Sequence, residues 1–355
     1  IEKTLQDEAF WGFLSNDRSK RDGRIGFVFD HVAREGGMKT GVDEYATFNF
    51  FGQKLGDPAV APETEWLAVK RTFMLFEEWF QDRRLYHMVG YLVWADEDVN
   101  SIRAMAAGAT KHDFKQKLRA RIFEKAFKAA LPEPLNKEWI ADYLDSIEYG
   151  SGTQRIRAVL LLFNVASLLL NARSNMRFQF DSFKDESWDI EHVRSCASER
   201  PASRVGQLDW SKRSLGYLKQ ADQDPNLQSM IEEFIKLPNN DITDVTFDPV
   251  YLAVLKHFQE ADEDEADNGL FNLALLDSET NRSYKNAVFA VKRERVLALD
   301  RNGVFVPLCT RNVFLKCYNP HVDHVMFWNK QDQDGYRQAM IDVFHDFFTG
   351  GWIHE

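Results

Sequence analysis

An acidic-His dipeptide, two asparagines and a cluster of basic side chains are the residues whose chemistry could be joined in this chain. Trp188-Asp189-Ile190-Glu191-His192-Val193 alternates apolar and polar positions, so it reads as a strand with Glu191 and His192 at its end. Eighty residues after His192 (272 − 192 = 80), Asn272 opens the run Asn272-Leu273-Ala274-Leu275-Leu276, a second strand, and Asn281 follows it. A neutral imidazole, with an ordinary pKa near 6.5, can strip a proton from water near neutral pH, which makes His192 the candidate general base. Hydrolysis of a phosphodiester gathers negative charge in its transition state, and Mg²⁺ (or Mn²⁺) held by oxygen ligands would offset that charge. The Glu191 carboxylate and the Asn281 amide oxygen are the candidate ligands, leaving positions open for water and phosphate. Asn272 is expected to hydrogen-bond backbone across the loop after His192 and keep the ring aimed.

This order is the pattern of a ββα-metal nuclease. Together with Phe178 and Phe180 upstream, and with Asn281-Arg282-Ser283-Tyr284, Phe289 and Lys292-Arg293 downstream, it carries a more specific likeness. The stretch from about residue 155 to 318 resembles the C-terminal HNH (ββα-metal, His-Me finger) nuclease half of GmrSD-like modification-dependent restriction proteins. The resemblance implies a bacterial or archaeal cytoplasmic endonuclease that cleaves DNA in defence against phage or modified foreign DNA. It also implies an upstream ParB-like NTPase domain with an Asp-Gly-Gln-Gln-Arg motif. Residues 22–24 read Asp-Gly-Arg without the rest of it, and the chain has no GxxxxGK[ST] phosphate loop. Ile1 in place of Met agrees with a fragment whose nucleotide-driven half lies upstream. Asn281 stands where an HNH motif often has its final His.

Charge placement points the same way. The 355 residues include 55 acidic and 44 basic side chains, a net −11 that on average repels a polyanion. From Arg282 to Lys316, however, eight basic residues face two acidic ones, giving +6 and leaving −11 − 6 = −17 elsewhere. Local charge governs phosphate contact, so Arg282, Lys285, Lys292 and Arg293 are the candidates for gripping a nucleic-acid backbone. The six carboxylates between Glu260 and Asp267 read as a solvated loop that could compete for that basic face.

The elements that must position these residues follow from periodicity. Helices are expected over Ile25–Val32, stopped by Gly36-Gly37, over Trp66–Phe80 with Thr64 as cap, and over Tyr86–Trp94, Ser101–Ala107 and His112–Ala130. Pro132 and Pro134 break the pattern before Glu138–Leu144, and Thr153 would cap a long apolar helix to about Asn171. Phe178 and Phe180 alternate with polar neighbours, which reads as a strand. Helical pieces at Gln228–Lys236 and Pro249–Phe258 separate the two motif strands, and Tyr336 to Phe347 gives a last helix. The fold class is therefore α+β and mostly α: a helical domain over residues 1–175, then a nuclease domain over 176–355 with a helical insertion and a C-terminal helix.

Other classes fit less well. The longest apolar run, Ile156 to Leu170, is short of the ~20 residues of a membrane span, so no membrane partner is expected. Three cysteines are too few and odd in number for a disulfide framework. Cys317-x3-His321-x2-His324 lacks an evident fourth zinc ligand, and Cys196, four residues after His192, has no oxyanion motif beside it. Two alternatives to a DNA endonuclease stay open: a non-cleaving DNA-binding or regulatory module docked on the upstream NTPase, and an RNA-cleaving toxin with the same chemistry.

Overall fold

Amphipathic repeats dominate the chain, and they fold as helices. The computed structural model describes residues 1–17, 23–39, 43–150, 152–185, 188–194, 200–221, 224–258, 268–278, 287–322 and 325–353. The fold is mostly α with a small two-stranded sheet. The chain divides into two compact units, one made of Ile1–Leu135, Leu161–Asp185 and His345–Glu355, the other of Asn136–Leu160 and Glu186–Phe344.

The first unit holds α1 (Glu2–Leu5), α2 (Glu8–Leu14), α3 (Ile25–Glu35), α4 (Ala46–Leu55), α5 (Pro62–Gln81), α6 (Arg83–Trp94), α7 (Val99–Ala106) and α8 (Lys111–Phe127). Helix α3 ends as its glycines require. Met38 N–H donates to Ala33 O (2.9 Å) and Gly37 N–H to Arg34 O (3.2 Å), while Gly37 takes φ +95°, a conformation that a Cβ would strain. Helix α5 starts earlier than expected. Pro62 occupies its first turn after Ala61, and Thr64 lies inside the helix rather than capping it, because a proline at the first position already suits the free N-terminal geometry.

Phe178 and Phe180 do not form a strand. Phe178 N–H donates to His87 Nε2 (2.9 Å) and its carbonyl accepts from Tyr86 Oη (2.7 Å), so side chains of α6 take the backbone groups that a strand partner would have paired. Phe180 then begins α11 (Phe180–Asp185) and packs its ring on Gly90 of α6. A methyl group at Gly90 would lie 2.3 Å from Phe180 Cε2, and Phe180 is fully buried. Gly90→Ala gains about 1 kcal/mol of helix propensity but overpacks the fully buried Phe180 ring. A net loss of about 1–2 kcal/mol is expected from that balance, read as a lower urea midpoint; an unchanged or raised midpoint would show that the ring can yield.

The second unit includes α9 (Lys137–Asp145), the start of α10 (Thr153–Leu170), β1 (Trp188–His192), α12 (Arg204–Ala221), α13 (Pro225–Ile235), α14 (Asp244–His257), β2 (Leu273–Asp277), α15 (Phe289–Arg301), α16 (Leu308–Phe314) and most of α17 (Lys330–Thr349). Helix α10 is long and apolar enough by length and composition to cross a membrane, and 67% of it is buried here. Helices α12 to α14 form the insertion, packed through Trp210, Leu218, Ile231, Phe247 and Val254 onto Val288 and Val291 at the start of α15. Helix α14 begins at Asp244, ahead of Pro249, since Thr246 Oγ1 accepts from Thr243 N–H (3.0 Å) and fixes an earlier start. Beyond α16, the buried Lys316 ammonium meets the buried Asp332 of α17 at 2.7 Å, and Asn319 Nδ2 and Asn329 N–H donate to the same carboxylate at 2.7 and 2.9 Å.

Candidate active site at the end of the hairpin

Strands β1 and β2 pair antiparallel, with Trp188 opposite Asp277, Ile190 opposite Leu275, Glu191 opposite Ala274 and His192 opposite Leu273. Successive side chains of a strand leave on opposite faces, so Glu191 and His192 diverge although they are neighbours in sequence. Apart from the half-buried Asp189 and Asp277 the hairpin is buried, which explains why β2 reads as a continuous apolar run rather than an alternating one.

His192 is 2% exposed. Its ring packs on Tyr149 with centroids 4.6 Å apart, and Nε2 lies 3.2 Å from Asn268 Oδ1. An amide oxygen can only accept, so in this contact Nε2–H is the donor. Both neighbours are held by the chain itself: Tyr149 N–H donates to Asn268 O at 2.7 Å, and Glu148 bridges Gly269.

Asn272 lies in the 3-10 turn Leu270–Asn272 immediately before β2, not within the strand. Its Oδ1 accepts from Arg194 N–H (2.8 Å), its Nδ2 donates to Arg194 O (3.2 Å), and its own carbonyl accepts from Val193 N–H (2.7 Å). The backbone after His192 is thus fastened for two residues past the end of the ladder.

Glu191 is 5% exposed and faces α15, where Lys292 Nζ comes within 2.7 Å of its Oε1. The same ammonium donates to the His192 carbonyl at 2.7 Å. Lys292 and Glu191 thus form a buried ion pair at charge-assisted distance. Lys292, expected to reach a phosphate, is 1% exposed and directed inward. Arg293 is half-buried and donates from Nε to Phe314 O at 3.0 Å. Asn281, Arg282 and Lys285 lie outside the described residues, as do Cys196, His324 and the carboxylates of 260–267.

The chain matches no protein-family model, no curated protein and no solved structure. Its chemistry is therefore argued from its own atoms. The basic stretch is partly neutralised where it can be followed, with Lys292 on Glu191, Arg311 on Asp300 (3.0 Å) and Lys316 on Asp332. No group of three His, Cys, Asp or Glu side chains suited to a metal occurs among the described residues. A Mg²⁺ site of one carboxylate and one amide would not need such a group, but the Glu191 oxygen that would face the cation stands 2.7 Å from the Lys292 ammonium.

Two members of this cluster, Tyr149 and Asn268, escaped sequence reasoning, and a third, Lys292, was assigned to a phosphate rather than to Glu191. Tyr149 and Asn268 stand on either side of the motif, and their only local signals are the adjoining glycines Gly150 and Gly269. Lys292 follows Val288-Phe289-Ala290-Val291, and a lysine that closes a four-residue apolar run on a helix was the available hint that it is buried.

Proposed function

We propose that this chain is a metal-dependent HNH endonuclease of the ββα-metal type that hydrolyses DNA phosphodiester bonds in defence against modified or phage DNA. The observation that carries the reading is the Asn272 clasp: a residue 78 positions away from Arg194 grips both of its backbone groups and fixes the chain just after His192. The clasp fixes the backbone from which the His192 ring projects. In this reading the His192 imidazole takes the proton of the attacking water, and Asn268 Oδ1 accepts from the ring so charged. Tyr149 covers one face of the ring and limits its rotation. Glu191, with Asn281, would hold Mg²⁺ or Mn²⁺, which supplies positive charge beside the phosphate when bound. Exposed and half-buried basic groups such as Arg293, Arg295 and Arg301 would add contacts to the nucleic-acid backbone.

A second reading, the non-cleaving DNA-binding module docked on an upstream NTPase, is favoured by the Glu191–Lys292 pair, which already satisfies the carboxylate's charge. Plasmid nicking with Mg²⁺ and Mn²⁺ separates the two. The endonuclease reading expects metal-dependent nicking that falls by about a hundredfold or more in His192→Ala. Salt-dependent DNA binding with no nicking, and identical behaviour of His192→Ala, would sink it and favour the binding module. Preferential cleavage of RNA under the same conditions would point instead to an RNA-cleaving toxin.

A further inference from the structure

Arg119 of α8 carries a charge that the protein does not spend on itself. Its Nε and Nη1 are buried and have no hydrogen-bond partner among the described residues, although a guanidinium stays protonated and every nitrogen of its fork is a donor. The group lies against the backbone of Gly350 at the end of α17, where a Cβ would stand 1.7 Å from Nη1. The negative end of that helix offsets part of the charge but gives neither nitrogen an acceptor. The same side chain lines a cavity of about 230 Å³, in which Leu131, Pro132, Leu135 and Phe348 form an apolar wall and Glu133 brings a carboxylate. The charge of Glu133 reaches the guanidinium, yet among the described residues the two do not close into an ion pair. All of these residues belong to the first unit, and none belongs to the hairpin.

We propose that this cavity binds a small zwitterion, a free α-amino acid with an apolar side chain. Nη2, the nitrogen of the fork outside the buried set, gives the ligand carboxylate a charge-assisted hydrogen bond. Glu133 takes the ammonium group, and the apolar wall covers the side chain. Opposite charges that share a cavity without joining suit a ligand carrying both. A plain anion would be repelled by Glu133 and a plain cation by Arg119, so each charge also selects against the simpler ligand. The volume falls below the roughly 300–1,000 Å³ of pockets for drug-sized ligands, which sets the size at a single amino acid. The site goes beyond the nuclease reading and does not depend on it.

The test is calorimetric titration of the whole chain with three probes: L-leucine, isocaproate, which lacks only the ammonium group, and isoamylamine, which lacks only the carboxylate. The unaltered protein is expected to bind L-leucine at least about tenfold more tightly than either single-charge probe. Glu133→Gln should bind L-leucine about tenfold more weakly and isocaproate no more weakly, since only the ammonium loses its partner. Arg119→Gln should bind L-leucine about tenfold more weakly and isoamylamine no more weakly. The comparison of probes on the unaltered chain needs no variant, and Glu133 is exposed, so the test survives a folding defect in Arg119→Gln. No heat of binding with L-leucine up to about 20 mM overturns the proposal. Isocaproate bound as tightly as L-leucine marks a plain anion site and also overturns it, as does an L-leucine affinity unchanged in Glu133→Gln.

Discussion

Asp332→Ala is expected to destabilise the second unit by about 3–5 kcal/mol, the cost of breaking a buried ion pair from one side. The side chains of Lys316 and Asp332 are 2% and 0% exposed, so neither charge has water to fall back on. The carboxylate also accepts from Asn319 Nδ2 and from Asn329 N–H, and both donors lose their acceptor when it goes. The remaining ammonium stays against the Phe289 ring, 5.6 Å from its centroid, which offsets only a small part of the loss. Lys316→Met in the Asp332→Ala background should recover much of the stability, because the stranded charge is then gone. Urea denaturation of the four proteins measures this as a double-mutant cycle. A loss under about 1 kcal/mol for Asp332→Ala would mean that water reaches the pair and that it behaves as a surface bridge.

Acid should unfold the first unit through His87. Burial pushes this imidazole down to about 3, against which its hydrogen bond to the Arg83 carbonyl works in the opposite sense. Nδ1–H donates to Arg83 O at 2.7 Å while Nε2 accepts from Phe178 N–H at 2.9 Å, so the folded site requires the neutral ring. The unfolded chain takes up its proton near pH 6.5 and the folded chain does not. Stability is therefore fully present above pH 6.5 and is lost as pH falls toward 3, at about 1.4 kcal/mol per pH unit. Over that range His87 alone accounts for about 5 kcal/mol, within the whole stability of many domains. His31, which burial lowers to about 4, acts in the same direction. Between pH 6 and 5 the two together should cost about 2–3 kcal/mol, before most carboxylates titrate. His87→Gln should be less stable at pH 7 and show a flatter decline. Unfolding free energies that stay level from pH 6.5 to 5 would mean that the ring is protonated in the folded protein.

Periodicity made much of this architecture legible. Helices α5, α6, α8, α10 and α17 announce themselves because each buries a long apolar stripe, and the hairpin residues Glu191, His192 and Asn272 could be named because a period of two, then a polar opening residue, survives in the sequence. What escaped notice depends on distant partners. Phe178 and Phe180 mimic a strand because any extended segment alternates its side chains. Only Tyr86 and His87, 92 and 91 positions away, reveal that their backbone is paired with side chains. Thr64 and Pro249 misplaced two helix starts by a few residues, where local capping choices compete. Lys292 looked like a phosphate ligand because charge alone suggests the surface, and its burial is decided by Glu191, a residue on another element.

The hairpin also imposes an order on how this protein comes together. Arg194 and Asn272 are 78 positions apart, and closing an unstructured loop of that length costs about 4 kcal/mol in chain entropy before any contact compensates. A folded insertion removes that cost, because Trp210, Phe247 and Val254 share one core with Val288 and Val291 of the helix that carries Lys292. The acidic-His dipeptide and its clasp are thus brought together by helices that lie between them in the sequence. A weakened insertion core would reach the site as a slower and less complete closure, with every residue of the site unchanged.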